Sequence, residues 1–254
     1  MPASALLAAA SAATLKVASL NLCTDELLLA LAAPEQIVSV THLAHKPQET
    51  SLWRHARRHP RNDGSLLSVV GRKPDLVVTM GGGARDRARI AQRLGIRTLD
   101  LPYPQGLADV ERAIATLARA LGREQAGRQW LARIDALKRT RPPDLPDTIW
   151  LGGGGRSVQA TGLAADWMRL AGFRQRQLVG DRVSLEQLLV RPPAILLRSD
   201  YRSGQYSGAQ RWLTHPLAKG TRRSRNIATY GRAWTCMGPP MVDEVLRLRR
   251  ELRR

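Results

Sequence analysis

The chain has 254 residues, 43% of them hydrophobic, and carries 40 Lys and Arg against 21 Asp and Glu, a formal net charge of +19. That length suits one large α/β domain or two lobes of about 120 residues, with enough apolar content to bury a real core. No run reaches the ~18 apolar residues of a membrane span, and the two cysteines, Cys23 and Cys236, form neither a CxxC nor a zinc-type spacing.

The charge points either to a polyanionic partner, nucleic acid or an anionic membrane, or to a solvated surface biased toward Arg. Arginines are spread over the whole chain, and the dense runs Arg54–Arg61 and Arg222–Arg225 lack the interleaved aromatics of a base-stacking surface. The solvated surface is the better reading, and no nucleic-acid partner is expected. Residues 1–13 are uncharged and end in Ala10-Ser11-Ala12, an A-x-A pattern like the end of a secretory signal peptide, but without a basic start. A truncated signal peptide is expected, with a short N-terminal tail as the alternative.

Leu15–Leu20 reads as a strand and Asn21–Thr24 as the turn after it. Thr24 or Asp25 then caps a helix over Glu26–Ala33, closed by Pro34. Gln36–Val40 is the next strand, completing a βαβ unit that implies parallel pairing. The polar stretch Thr41–Gly64 holds His42, His45, His55 and His59; a metal site needs three or four ligands, and a solvated basic loop is the simpler reading. A short helix over Ser65–Val70 precedes the buried strand Leu76–Met80, which runs into Gly81-Gly82-Gly83. These glycines let backbone approach a ligand, but they match neither a phosphate loop nor a dinucleotide fingerprint. A helix over Arg85–Leu94 and a strand over Ile96–Leu99 follow.

Leu107, Val110, Ile114, Leu117 and Leu121 form one apolar stripe, and Gly122 suits a C-cap. A second helix from Arg123 to Arg139, roughly 17 residues or about 25 Å long, reaches from one lobe to another and ends at Arg141-Pro142-Pro143. The plan then repeats: a strand over Thr148–Leu151, Gly152–Gly155, a helix over Thr161–Ala171, a Ser184-capped helix over Leu185–Val190, a strand over Ala194–Leu197, a segment with Tyr201 and Tyr206, and a last strand over Asn226–Thr229. Met241–Arg253 is an amphipathic C-terminal helix. The predicted architecture is two Rossmann-like α/β lobes with mostly parallel sheets, joined by one long bridging helix, with a ligand cleft between them. Its expected boundaries are residues 14–122, 123–140 and 141–254.

Ligands of open parallel sheets bind beyond the carboxyl ends of the strands. The candidates there are Asn21, Cys23, Thr24, Met80, Gly81, Gly82, Gly154, Arg156, Arg198, Tyr201 and Trp234, a glycine- and aromatic-rich set suited to a large, flat ligand. A disulfide across the lobes would lock such a cleft, so free thiols are expected at Cys23 and Cys236. No GxSxG is present, no histidine follows a strand end as a base, and no carboxylates are paired. The chain is therefore expected not to be an enzyme and to need no catalytic metal or cofactor. The rival classes are a basic nucleic-acid-binding protein and a chelatase or metal-chelate reductase on the same scaffold.

Four segments carry a resemblance: Val17–Leu27 (VASLNLCTDEL), Lys73–Val78 (KPDLVV), Ser184–Leu188 with Arg191–Ile195 (SLEQL and RPPAI), and Trp234–Pro239 (WTCMGP). In this order around a bridging helix, the chain resembles the helical-backbone substrate-binding proteins of ABC importers for cobalamin and iron–siderophore complexes. The resemblance implies a monomeric periplasmic receptor that binds a corrinoid or similar chelate between two nearly rigid lobes and delivers it to an ABC permease and its ATPase. Corrin burial in that family uses aromatics and backbone, matched here by Trp234 and the glycine loops. Haem and ferric siderophores meet Arg or Tyr, matched by Arg156, Arg198, Arg202 and Tyr201. In the family a surface carboxylate on each lobe docks on permease arginines. Glu186 matches on the second lobe, but Ser65–Ser68 of the first lobe contains no acid.

Overall fold

A computed structural model describes residues 14–82, 85–201, 204, 207–219 and 223–254, and for residues 85 and 86 the backbone alone. The signal-like segment and Gly83, Arg202 and Tyr206 lie outside the described residues.

Two sheets form, and every strand pair in them is parallel. In the first, β1 (Val17–Ser19), β2 (Ile37–Thr41), β3 (Arg61–Asn62), β4 (Leu76–Met80) and β5 (Arg97–Leu101) lie in the order β3-β2-β1-β4-β5. Between them run α1 (Leu22–Leu31), α2 (Trp53–Ala56), α3 (Leu67–Val70) and α4 (Arg85–Arg93). The bridge is two helices in series, α5 (Leu107–Ala120) and α6 (Glu124–Arg139). The second sheet has β6 (Asp147–Leu151), β7 (Arg174–Gln175), β8 (Ile195–Ser199) and β9 (Arg225–Thr229) in the order β7-β6-β8-β9. It is joined by α7 (Gly162–Ala171), α8 (Leu185–Val190), α9 (Gly208–Thr214), α10 (Ala233–Cys236) and α11 (Met241–Arg253). The central strands β1, β4 and β8 are almost wholly buried, and β4 and β8 open on the apolar runs Leu-Val-Val and Ile-Leu-Leu, as strands covered on both faces do. Two α/β lobes joined through a helical bridge are what the sequence predicts.

The bridge is part of the core. Ile114 and Leu117 of α5 and Ile134 and Leu137 of α6 share one apolar cluster with Leu28 and Leu31 of the first lobe and Trp167, Phe173, Val245 and Leu248 of the second. Each such side chain contributes about 1.5–3 kcal/mol by leaving water. Polar clips fix the ends. Trp130 of α6 donates to Ala30 O of the first lobe (3.0 Å), and Gln36 donates to Leu121 O (2.9 Å). At the other end the buried Arg249 donates to Leu137 O and Leu170 O, both at 2.8 Å, and to Thr140 Oγ1. A single packed core across both lobes resists large rotation of one against the other.

Local chemistry sets the helix ends. α1 begins at Leu22, four residues earlier than predicted, because Asn21 rather than Thr24 or Asp25 is its N-cap; Asn21 Oδ1 accepts from Thr24 N at 2.9 Å. Ser184 caps α8, as the sequence predicts, and the structure adds a reciprocal bond from Gln187. Gly172 ends α7 at φ 97°, a conformation glycine adopts without strain.

Candidate functional site

The carboxyl ends of the two sheets face one another, but the first lobe's ends are sealed. In a 3-2-1-4-5 sheet the crevice opens where β1 and β4 part. There Asn21 Nδ2 donates to Met80 O (3.2 Å), closing the gap. Thr24 is fully buried, its hydroxyl 2.7 Å from Ser19 Oγ. Asp25 accepts from Thr41 N (3.0 Å) and Thr41 Oγ1 (2.5 Å), while Asn62 donates to Ser19 O and Ser39 Oγ. Gly81 and Gly82 leave β4 at φ 98° and 82° and stay exposed.

Two carboxylates sit in this dry layer. Burial raises Asp25 to about 6 against the pull of its Thr41 and Ser19 partners, and raises Glu26 to about 8. Glu26 is 1% exposed, and neither of its oxygens has a hydrogen-bond partner among the described residues; the nearby Thr50 hydroxyl offsets the burial only in part. Its Oε2 faces the second lobe, 3.8 Å from where a Cβ on Gly238 would stand. At neutral pH Glu26 is therefore a neutral acid between the lobes.

Next to it, Cys23 in the first turn of α1 is disulfide-bonded to Cys236 at the end of α10, with 5.1 Å between the Cα atoms across 213 residues of sequence. This corrects the expectation of free thiols. The packed bridge already holds the lobes close, so a cross-lobe disulfide adds a tether where no wide opening is needed.

The second lobe's strand ends are open. Tyr201, after β8, donates from its hydroxyl to Glu49 Oε2 of the first lobe (2.9 Å), and its backbone O accepts from Gln210 Nε2 (3.1 Å). Arg232, after β9, donates to Pro47 O of the first lobe (2.8 Å); its Nε is buried without a partner among the described residues. Gly231 must be glycine, since a Cβ there would meet Ser199 Oγ and Tyr201 Cβ at 2.3 Å. Its N–H donates to Asp200 Oδ1 (2.7 Å), which holds the two loops together. Between these loops and residues 47–48 of the first lobe lies a cavity of about 320 Å³ lined by Pro47, Gln48, Asp200, Tyr201, Tyr230 and Arg232. Tyr230 is exposed and flanked by Arg232 and Arg247, whose guanidinium carbons stand 5.4 and 4.3 Å from its ring centre.

The other predicted residues are placed as follows. Trp234 is 7% exposed; its Nε1 donates to Thr229 Oγ1 (2.7 Å) and its ring lies 6.0 Å from Trp150 at a tilt of 57°, inside the shared core. Gly154 packs beneath α9, against Ala209, and accepts from Arg182. Arg156 is exposed and pairs in a short antiparallel bridge with Arg182. Arg198 donates to Leu213 O (3.0 Å) and lines a separate depression of about 250 Å³ with Gln210 and Lys219. Glu186 is exposed in the first turn of α8, and the Ser184 hydroxyl beside it keeps its carboxyl below the usual range. α2 stops at Ala56, so His55 and His59 do not share a helix face. Of the predicted residues, Tyr201 thus reaches Glu49 and Cys23 reaches Cys236 across the lobes, while Gln48, Tyr230 and Arg232 were not singled out by the sequence.

The model of the periplasmic binding protein family matches residues 17–227. Among curated proteins, no sequence matches. The periplasmic haem-binding protein HutB of Vibrio cholerae is similar in structure at a TM-score of 0.72 and 19% identity, covering 94% of this chain and 99% of that one. The periplasmic haem-binding protein RhuT from Roseiflexus sp. RS-1 is similar at 0.67 and 21%, covering 93% and 98%. The periplasmic vitamin B12 binding protein BtuF of Vibrio cholerae is similar at 0.65 and 17%, covering 94% and 96%. At these identities the structural likeness establishes the fold, and the family match over most of the sequence establishes the rest: the chain belongs to the periplasmic binding protein family.

Proposed function

We propose that this protein is the substrate-binding component of an ABC importer and holds a large metal chelate of the tetrapyrrole class, a corrinoid such as cobalamin, at the junction of its two lobes. The observation that carries this is the inter-lobe cavity, where loops from the carboxyl ends of β8 and β9 meet the loop after β2. Its two tyrosines line the cavity as aromatics do in ligand sites, and the Tyr230 ring also carries the guanidinium groups of Arg232 and Arg247. At about 320 Å³ the cavity sits at the small end of the ~300–1,000 Å³ range of ligand pockets. A tetrapyrrole enters when the two hydrogen bonds Tyr201–Glu49 and Arg232–Pro47 give way, with the disulfide and the packed bridge as the fixed side of the hinge. The chemistry is binding only: the buried acids Asp25 and Glu26 are sealed off as structure.

A second reading is haem or a ferric siderophore, favoured by Arg232 beside Tyr201 and Tyr230, because guanidinium and phenol groups recognise carboxylate-bearing chelates. On either reading the loaded receptor presents Glu186, an ionised acid on an exposed helix start, to a permease with its ATPase. Export from the cytoplasm fits the disulfide, since such bonds persist in oxidising compartments. The test is a titration of the purified protein with cyanocobalamin, haem and ferric siderophores, read by tryptophan fluorescence and calorimetry. One saturable 1:1 isotherm below about micromolar establishes the receptor and its ligand class; flat traces for all of them would remove the reading.

A further inference from the structure

Most of the net charge of +19 lies away from the cleft, and one part of it is organised. After the loop that meets the second lobe, α2 and the turn into β3 carry Arg54, Arg57, Arg58 and Arg61 within eight positions, all exposed. Two of them flank Trp53. The guanidinium of Arg54 lies 4.7 Å and that of Arg57 4.5 Å from its ring centroid. Arg57, Arg61 and His59 also hold His45 below its usual range, after burial, so these cations share one field. None of the four arginines makes an ion pair among the described residues.

The nearby acids have other partners. Asp63 accepts from Ser65 N (2.8 Å), and Glu49 is buried and bonded to Tyr201. Lys138 and Arg133 of the bridge and Arg247 of α11, by contrast, each hold a carboxylate. The cluster also lies at a sheet edge, since β3 pairs only with β2. It is an exposed cationic face that includes a half-buried tryptophan.

We propose that this face, Trp53 with Arg54, Arg57, Arg58 and Arg61, binds the anionic phospholipid surface of a membrane. Arginines neutralise lipid phosphates through paired N–H donors, and an amphipathic indole belongs at the headgroup level. Single-stranded nucleic acid fits less well, because it needs open aromatic faces for base stacking, and here two guanidinium groups already lie over the Trp53 ring. The inference concerns lobe-one surface alone and involves no bound chelate, so it stands or falls apart from the receptor reading.

The experiment is co-sedimentation of the full chain with phosphatidylglycerol-containing and with pure phosphatidylcholine vesicles at ~0.1 M salt. The variant Arg54→Gln/Arg57→Gln/Arg58→Gln is compared with Arg119→Gln/Arg128→Gln/Arg139→Gln, which removes the same charge from exposed positions on the bridging helices. Each surface arginine is worth roughly fivefold in partitioning, so the patch variant should lose about a hundredfold while the control keeps most of its binding. Equal losses in both variants would make the effect one of net charge and overturn the proposal. Equal binding to both vesicle types, or preference for duplex DNA over the anionic vesicles at the same salt, would overturn it too. Thermal melts of both variants establish folding, and Arg58→Gln, whose side chain contacts no ring among the described residues, repeats the comparison if the triple variant unfolds.

Discussion

The two lobes treat the same structural opportunity in opposite ways. In the first, the crevice between β1 and β4 is bridged by Asn21, and the strand ends are filled with a buried polar layer of Thr24, Asp25, Glu26, Asn62 and Ser39. In the second, the ends of β8 and β9 carry Tyr201, Tyr230 and Arg232 toward a cavity, and reach across to the first lobe through single hydrogen bonds. On the proposed function the first lobe is the anchor and the second the gripping surface. A ligand site between two lobes therefore need not be shared equally, and substitutions at the two sets of strand ends should have different kinds of effect.

The largest effect is expected at Trp234, which sits in the second lobe but belongs to the core. Trp234→Ala should lower unfolding stability by about 3–5 kcal/mol in denaturant titrations, as large-to-small core changes do. Loss of ligand affinity without loss of stability would instead move its ring into the grip. Removing the tether, by Cys23→Ser with Cys236→Ser or by reductant, should cost about 2–5 kcal/mol for so long a loop. An unchanged midpoint, or two titratable thiols in the untreated protein, would contradict the anchor.

Glu26 sharpens the comparison through pH. A folded-state value near 8 exceeds the usual carboxylate value of 4.5, so the folded protein holds the proton over that interval. Stability is then full below about pH 4.5 and falls as pH rises toward 8, with Asp25 adding to the slope up to about 6. Glu26→Gln should flatten the decline, by on the order of a few kcal/mol across the window; an identical slope in that variant would place the acid in water.

At the gripping side, Tyr230→Ala or Arg232→Ala should leave stability nearly unchanged and weaken ligand binding by about 1–2 kcal/mol, measured by calorimetry. Equal affinity would shift the site away from this cavity. The smallest effect is expected at Asn21, where Asn21→Ala removes a helix cap and the clasp to Met80. It should cost about 1 kcal/mol of stability with ligand affinity intact; a loss of affinity would show that the first lobe grips as well.

Much of this architecture was legible from local chemistry. The apolar runs of β4 and β8, the stripe of α5, the Ser184 cap and the glycine after α7 are all set by neighbours a few residues away, so the sequence displays them directly. What escaped was decided at long range or by very short elements. Cys23 and Cys236 bear no sequence mark of pairing, because their approach depends on the packed bridge. The strands β3 and β7 are two residues each and carry no period. Tyr230 and Arg232 look like ordinary loop residues until the 42–52 segment of the first lobe closes the other side of their cavity. Trp234 looked like a platform for a flat ligand, and only the placement of Thr229 and Trp150 around it puts the ring in the core.

The central claim is that a tetrapyrrole-type chelate sits on the second lobe's open strand ends. The most direct test is calorimetric titration of the disulfide-bonded protein with cyanocobalamin and with haem, in parallel with Tyr230→Ala. One saturable site is expected for one of the two, below about micromolar and weakened at least several-fold in the variant. Binding of neither chelate, or binding that ignores Tyr230, would contradict it.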